Sequence, residues 1–395
     1  MMKKLRFFLS VLIVILLIFS VTPVTFAEED ISYNVTNGEV TITRFGEGLK
    51  GEYAIPETIN GLPVTVISDN AFSYYQTEIT TLHIPKTVKF FGILYSPLQC
   101  IDTLEKITVD KENEFFTSDE YGVLYTKDKI QLQHFPQNSP ITDYAVFDGT
   151  ETFLTGAFNG VKNLKTLTLP ASVTDVGGND FYTGFFNCKN LEKVIVNEEN
   201  SVYSSDSNGA LYNKDKNILF YYPSANMQKS FRIPDSVTIC YVGAFNYSMY
   251  IENVDMNNLK SIPNDVFVRC SELKEIRVSE KTKKFNSNVF SDCPKMEKIY
   301  FEGTAKRWDE MLYPAKNISV PVVCLKKEVT TKAETTTVKE ETTINETTTE
   351  ETTLKQSEPV SENIKEKPKL YIIIPVILLV LAGAVMVVVF KNKKK

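Results

Sequence analysis

Short apolar alternations recur along this chain at a nearly fixed distance from a phenylalanine. Phe267-Val-Arg-Cys270-Ser-Glu-Leu273 is followed three residues later by Ile276-Arg-Val278. Phe290-Ser-Asp-Cys293-Pro-Lys-Met296 leads at the same distance to Ile299-Tyr-Phe301, and Phe185 leads through Cys188 and Leu191 to Val194-Ile-Val196. Phe158, Leu164, Leu167-Thr-Leu169 and Phe245, Ile251, Val254-Asp-Met256 keep the spacing without the cysteine. Phe245, Phe267 and Phe290 lie 22 and 23 residues apart. A second element precedes the phenylalanine: Ile55-Pro56, Val64-Thr-Val-Ile67, Ala71-Phe72, and again Ile233-Pro234, Val237-Thr-Ile-Cys240, Ala244-Phe245; Leu169-Pro170-Ala-Ser-Val173-Thr-Asp-Val176 is a further copy. Each apolar-x-apolar triplet predicts a short strand with two side chains on one face and the middle one on the other. The proline that follows cannot donate to a ladder and ends the strand. The valine step turns the chain back, and Ala-Phe sets a small residue at a tight point and a ring between coils. No single coil buries its own apolar side, whereas stacked neighbours do. The pattern predicts a repeat solenoid whose phenylalanine and isoleucine series line one continuous interior.

A longer period is superposed. Residues 104–136 and 191–223 align without a gap at an offset of 87, with Leu104, Glu105, Lys106, Asn113, Gly122, Leu124, Tyr125, Lys127, Asp128, Lys129 and Pro136 recurring. They predict β-hairpin insertions near 110–136 and 197–223. Tyr33-Asn-Val35-Thr-Asn37-Gly38-Glu-Val40-Thr-Ile42 alternates around Asn-Gly, a hairpin signal, and predicts an N-terminal capping hairpin within 28–50 that covers the first coil's open edge.

The pattern I-P-x-x-V-x-x-I-x-x-x-A-F-x-x-C-x-x-L-x-x-I-x-I resembles the BspA-like leucine-rich repeat family over Tyr53 to Phe301. Gly122-Val-Leu-Tyr125 and Gly209-Ala-Leu-Tyr212 are similar to a common insertion of that family, and Phe301-Glu-Gly-Thr304 with Trp308 to its C-terminal cap. Residues 86–103 and Gly177-Gly178-Asn179-Asp180 depart from the pattern. The resemblance implies a leucine-rich-repeat-like solenoid over 51–325: short parallel strands on one face, irregular turns and short helical pieces on the other. It also implies cell-surface adhesins that bind host or matrix proteins, mostly of bacteria, with similar proteins in some eukaryotic parasites.

Both ends bear on the compartment. Residues 1–27 have a basic start, a 13-residue apolar run from Phe7 to Phe19, and Ala27, the parts of a signal peptide. Residues 370–390 are 21 residues without a charge; as a helix they span roughly 31 Å, matching a bilayer core. Lys391-Asn392-Lys393-Lys394-Lys395 predicts a cytoplasmic tail over 391–395. The Thr, Glu and Lys-rich stretch 326–369 lacks aromatic residues and predicts a disordered stalk. The expected topology is single-pass in the cell membrane, body outside, C-terminus inside.

Composition narrows the chemistry. The chain has 395 residues and a net charge of −6, with lysines gathered at the extreme ends, so the body between is still more acidic and repels phosphate backbones. No nucleic-acid partner is expected. With only two histidines, His83 and His134, and no Gly-rich phosphate loop, G-x-S-x-G or H-E-x-x-H, neither enzyme activity, cofactor nor metal site is predicted. Cys188, Cys270 and Cys293 share one repeat position, which suits small buried thiols better than disulfides. The middle residues of the triplets form the candidate partner-binding face: His83, Thr108, Thr168, Ile195, Arg232, Asp255, Arg277 and Tyr300. A rival surface is the insertion rings Phe115, Phe116, Tyr121, Tyr125, Tyr203, Tyr212, Tyr221 and Tyr222, which suit a glycan or simply pin the insertions. The function read from the chain is protein binding or adhesion at the cell surface. The alternatives are a glycan-binding module or an envelope spacer without a ligand.

Overall fold

The computed structural model describes residues 31–72, 77–92, 95–178, 184–286, 288–313 and 318–327. The expected leader 1–27, the stalk beyond residue 327, the span 370–390 and the tail 391–395 lie outside the described residues. No helix among the described residues is long and apolar enough to cross a membrane.

The apolar triplets form parallel strands that stack coil upon coil into three ladders. The first joins Lys50–Ala54, Glu78–Ile84 and Lys106–Val109; the second joins Asp143–Ala145, Thr166–Leu169 and Lys193–Val196. The third joins Ser230–Arg232, Asn253–Asp255, Glu275–Val278, Lys298–Phe301 and Val322–Cys324. The outer members of the triplets, such as Ile276 and Val278, are buried, or partly so at Val109, Val322 and Cys324, because alternate side chains point to opposite faces. At the N-terminal side, Ser32–Thr36 and Glu39–Arg44 form the expected hairpin. Asn37 and Gly38 turn it with φ of 54° and 80°, the pair of positive values that a two-residue turn of this hand needs. Its inner strand pairs in parallel with Leu62–Ile67 and so covers an otherwise open sheet edge.

The two insertions are three-stranded meanders rather than hairpins. Phe116–Ser118, Leu124–Thr126 and Gln131–His134 run antiparallel in the first, and Tyr203–Ser205, Leu211–Asn213 and Ile218–Tyr221 in the second. The third strand of each also pairs in parallel with the next coil, at Thr152–Phe153 and Ile239–Cys240. Leu132 and Leu219 on those strands are buried, so the third strand closes the meander and opens the following coil at once.

Each meander is held by the same three residues. Asn113 and Asn200 are fully buried with every polar atom bonded. Asn113 Nδ2 donates to the carbonyls of Pro85 and Val88 in the preceding coil, while its Oδ1 accepts from the amides of Phe115 and Phe116. Asn200 repeats this with Pro170, Val173, Val202 and Tyr203. Asp119 Oδ1 accepts from the amides of Tyr121 and Val123, and Asp206 Oδ1 from those of Asn208 and Ala210, fixing the first tight turn. Gly122 and Gly209 then meet the ladder: their carbonyls accept from Ile107 and Val194, at 3.1 and 3.0 Å. A Cβ on Gly122 would lie 2.5 Å from Lys106 Cγ, and one on Gly209 2.3 Å from Lys193 Cβ, with φ of +80° and +75°. Only glycine fits either place.

The interior departs from the single column expected. The buried side chains fall into three apolar clusters in series, meeting at the meanders. On one strand Leu124 belongs to the first cluster while Val123 and Tyr125 belong to the second. On its counterpart Leu211 belongs to the second while Ala210 and Tyr212 belong to the third. A strand sends successive side chains to opposite faces, so each meander acts as a wall feeding a core on either side. Within the clusters the repeat rings stack along the coils. Phe135, Phe158, Phe185 and Tyr221 follow one another at 5.4, 5.9 and 5.3 Å; Tyr222, Phe245, Phe267 and Phe290 do so at 5.2, 5.0 and 5.7 Å. Tyr221 ends one column and its neighbour Tyr222 begins the next.

The return side of the coils lacks the helical pieces expected. Among the described residues the one α-helix is Ala305–Met311 in the cap. The reason lies two residues after each repeat phenylalanine: Gly160, Asn187, Tyr247, Arg269 and Asp292 all have φ between 54° and 72°. A left-handed residue there ends any right-handed turn. At the far end Thr304 caps the helix, and Trp308 lies 5.1 Å from Phe285 and 5.3 Å from Phe301, closing the third cluster.

Candidate functional site

The ladders place the middle residue of every triplet on one outward face. Parallel register sets the order: Ala54, His83 and Thr108 in the first ladder; Ala145, Thr168 and Ile195 in the second; Arg232, Asp255, Arg277, Tyr300 and Val323 in the third. The eight residues picked from the sequence therefore stand in three strips, not one. His83 is beside Thr108 and Thr168 beside Ile195, while Arg232, Asp255, Arg277 and Tyr300 are consecutive. The meanders interrupt the face where Gly122 and Gly209 cap a ladder edge. Ala54, Ala145 and Val323 were missed, although Tyr53-Ala54-Ile55, Tyr144-Ala145-Val146 and Val322-Val323-Cys324 carry the same alternation.

The strips differ chemically. In the first, His83 Nδ1 lies 3.0 Å from Thr108 Oγ1, a polar pair. In the second, Ile195 is 40% exposed, an apolar spot between threonine and the meander. In the third, Arg232 reaches Asp235 at 2.7 Å and Asp255 at 3.4 Å, Arg277 reaches Glu302 at 3.4 Å, and Tyr300 Oη donates to Glu275 Oε1 at 3.4 Å. A hydrogen bond from Asn257 and then the Arg232 guanidinium hold the Asp235 carboxyl below its ordinary range. Beside this strip Lys229, Glu252 and Lys274 alternate in sign from coil to coil, at 3.0 and 2.6 Å, and the two lysines hold the Glu252 carboxyl low. With strands about 4.8 Å apart, the five in-register residues of the third strip span about 19 Å. They form an extended, partly exposed row of mixed charge that passes the Tyr300 ring and ends on Val323.

The insertion rings divide otherwise. Phe116, Tyr125, Tyr203, Tyr212, Tyr221 and Tyr222 are buried, and only Phe115 and Tyr121 are exposed. Tyr125 Oη lies 2.5 Å from Tyr144 Oη, which donates to Asp119 Oδ2 at 2.6 Å; Tyr212 Oη donates to Asp206 Oδ2 at 3.0 Å. Tyr144 thus ties the first meander's turn to a coil strand, while Tyr212 braces the second meander's turn from within.

Among the described residues the cysteines form no disulfide. Cys188, Cys240 and Cys270 are buried, Cys293 and Cys324 partly so, and Cys100 is exposed. The three at the shared repeat position do the same thing. Cys188 Sγ donates to the Phe158 carbonyl at 2.9 Å, Cys270 Sγ to that of Phe245 at 3.0 Å, and Cys293 Sγ to that of Phe267 at 3.4 Å. Each bonds the repeat phenylalanine one coil back. Burial pushes the Cys188 thiol up to about 12, so it stays protonated. His134 is fully buried, with Nδ1 2.8 Å from Ser96 Oγ, and burial lowers its pKa to about 3, so it is neutral. Among the described residues no group of three or more His, Cys, Asp or Glu is placed to hold a metal ion.

Residues 128–220 and 217–319 match the family model of a BspA type leucine rich repeat region (6 copies). The chain carries a BspA-type leucine-rich repeat region. The first ladder lies N-terminal to the matched residues and has the same parallel geometry. No curated protein matches the chain. Solved structures similar to it include a leucine-rich repeat protein from Eubacterium ventriosum, at 18% identity and a TM-score of 0.42, covering 70% of this chain and 72% of that one. Another is a leucine-rich cell surface protein from Faecalibacterium prausnitzii, at 18% identity and a TM-score of 0.37, covering 75% and 99%. A third is the pneumococcal vaccine antigen PcpA, at 19% identity and a TM-score of 0.38, covering 76% and 98%.

Proposed function

We propose that this is a cell-surface binding protein whose third strip engages an extracellular protein, of host or matrix origin, without catalysis. The observation that carries the reading is the in-register row Arg232, Asp255, Arg277, Tyr300 and Val323. Extended solenoid sheets are suited to partners of matching length, and Arg and Tyr are the side chains most enriched where binding energy concentrates. Its charges alternate in sign along the row, which favours a partner of equally mixed charge over a polyanion. The leader, stalk and span read from the sequence would hold this face outside the cell and clear of the bilayer. Cells displaying the full chain are tested on immobilised matrix proteins, against cells displaying the Arg232→Ala, Arg277→Ala, Tyr300→Ala triple variant. At least a tenfold loss of adhesion at equal surface display is expected. Undiminished adhesion rejects the face, and adhesion to none of the proteins favours the spacer reading.

The exposed Phe115 and Tyr121 keep a glycan reading alive at the first meander only. A glycan-array signal that survives Tyr121→Ala would reject it.

A further inference from the structure

The second meander frames a cavity of about 70 Å³ that its counterpart does not share chemically. Its floor is apolar, with Phe185 and Leu211 buried. Tyr203, Phe220, Tyr241 and the carboxylate-bearing Asp175 also line it. The rings are close-set: Tyr203 to Phe220 is 5.5 Å between centroids at 72°, and Phe220 to Tyr241 is 5.3 Å at 54°. Asp175 Oδ1 accepts from the Gly177 amide at 2.9 Å, which aims the carboxylate. Burial, and after it the charge of Asp175, raise the Tyr203 phenol, so that hydroxyl remains a neutral hydrogen-bonding group facing the carboxylate.

We propose that this cavity binds an alkylammonium group. Aromatic faces attract a cation within about 6 Å, an apolar floor accepts methylenes, and a carboxylate in the lining supplies the opposite charge. The volume is several times what one water needs but far below the 300–1,000 Å³ of a pocket that swallows a whole ligand. It therefore takes the end of a chain, not a sugar ring. The internal duplication argues that these side chains are not there merely to dock the meander. In the first meander Phe116 stands where Tyr203 is, and Gln133 where Phe220 is, while Leu124 matches the floor residue Leu211. That meander docks through the same Asn, Asp and Gly devices without the Tyr203 hydroxyl or the Phe220 ring. The cation could come from a lysine of a protein partner or from a free amine.

The test uses the full chain and two probes of similar size, n-butylammonium and n-butanol, followed by ligand-observed NMR. Saturable binding of the ammonium, at least tenfold tighter than the alcohol, is expected. Asp175→Asn, which keeps an acceptor for the Gly177 amide, should weaken the ammonium at least tenfold with an unchanged melting temperature. Phe220→Gln, which installs the residue found in the first meander, should weaken it several-fold. Equal binding of the two probes, no saturation by either, or indifference to Asp175→Asn overturns the proposal. An acetylated Gly-Lys-Gly amide that binds more tightly than n-butylammonium supports the site and points to a partner's lysine; equal affinities support it and point to a free amine. No protein partner is involved, so the result stands apart from the strand-face reading.

Discussion

The two meanders, 87 residues apart, are the same device built twice with different filling. What recurs is what the backbone demands. Asn113 and Asn200 each satisfy four main-chain groups, Gly122 and Gly209 sit where a Cβ cannot, and Lys129 and Lys216 both turn the chain with φ of 60° and 53°. What changes is the filling between those backbone anchors: Phe116 against Tyr203, Gln133 against Phe220, His134 against Tyr221. The difference separates residues held by hydrogen-bond geometry from residues free to diverge into a binding site or a titrating group.

The strongest way to break that equivalence is at the asparagines. Asn113→Ala or Asn200→Ala strips partners from two amides and two carbonyls in a buried place, where each orphaned group costs about 1–3 kcal/mol. Losses of about 3–5 kcal/mol, alike within about 1 kcal/mol, are expected in urea unfolding; a large asymmetry would show that the meanders are docked differently. Gly122→Ala and Gly209→Ala come next, at about 2–4 kcal/mol, from the left-handed φ and the overlap with Lys106 or Lys193. Matching midpoint shifts in the same titration are the check.

The third difference is in pH. The unfolded chain protonates the His134 imidazole near 6.5 and the folded chain only near 3. Proton uptake therefore favours unfolding as the pH falls. The stability owed to neutral His134 is complete above about pH 6.5 and is lost progressively toward pH 3. About 1–2 kcal/mol should go between pH 6.5 and 5. His134→Tyr, which installs the residue of the second meander, should flatten that slope in melting experiments whatever it does at pH 8. The smallest effect belongs to the ion pairs beside the charged row: Lys274→Gln should lower the urea midpoint slightly at low salt and not measurably in 1 M salt.

Much of this architecture was legible in the chain. The triplet spacing marked the strands, proline marked their ends, and Asn37-Gly38 marked the capping turn, because each depends on local chemistry. The left-handed position after the repeat phenylalanine was not legible. It is filled by Gly, Asn, Tyr, Arg and Asp, so no residue type announces it, and helical pieces were expected in its place. The division of the interior was hidden for another reason. Val123, Leu124 and Tyr125 read as one apolar run, and only the path of the strand between two cores shows that they serve different ones. At the outward face, alternation identified the residues but not the breaks, since a break is made by a carbonyl of Gly122 or Gly209 borrowed from an insertion. The cavity was invisible because Asp175, Tyr203, Phe220 and Tyr241 come from separate stretches that meet only in space.

The walls between the three cores also bear on how the molecule fails. In an unpartitioned stack, a defect in one rung loosens the next, and damage runs the length of the column. Here a crack reaching Leu124 or Leu211 meets a sheet pinned independently on its far side. A pull along the stack should therefore release length in three discrete steps, giving the protein a sequence of fuses before it comes apart.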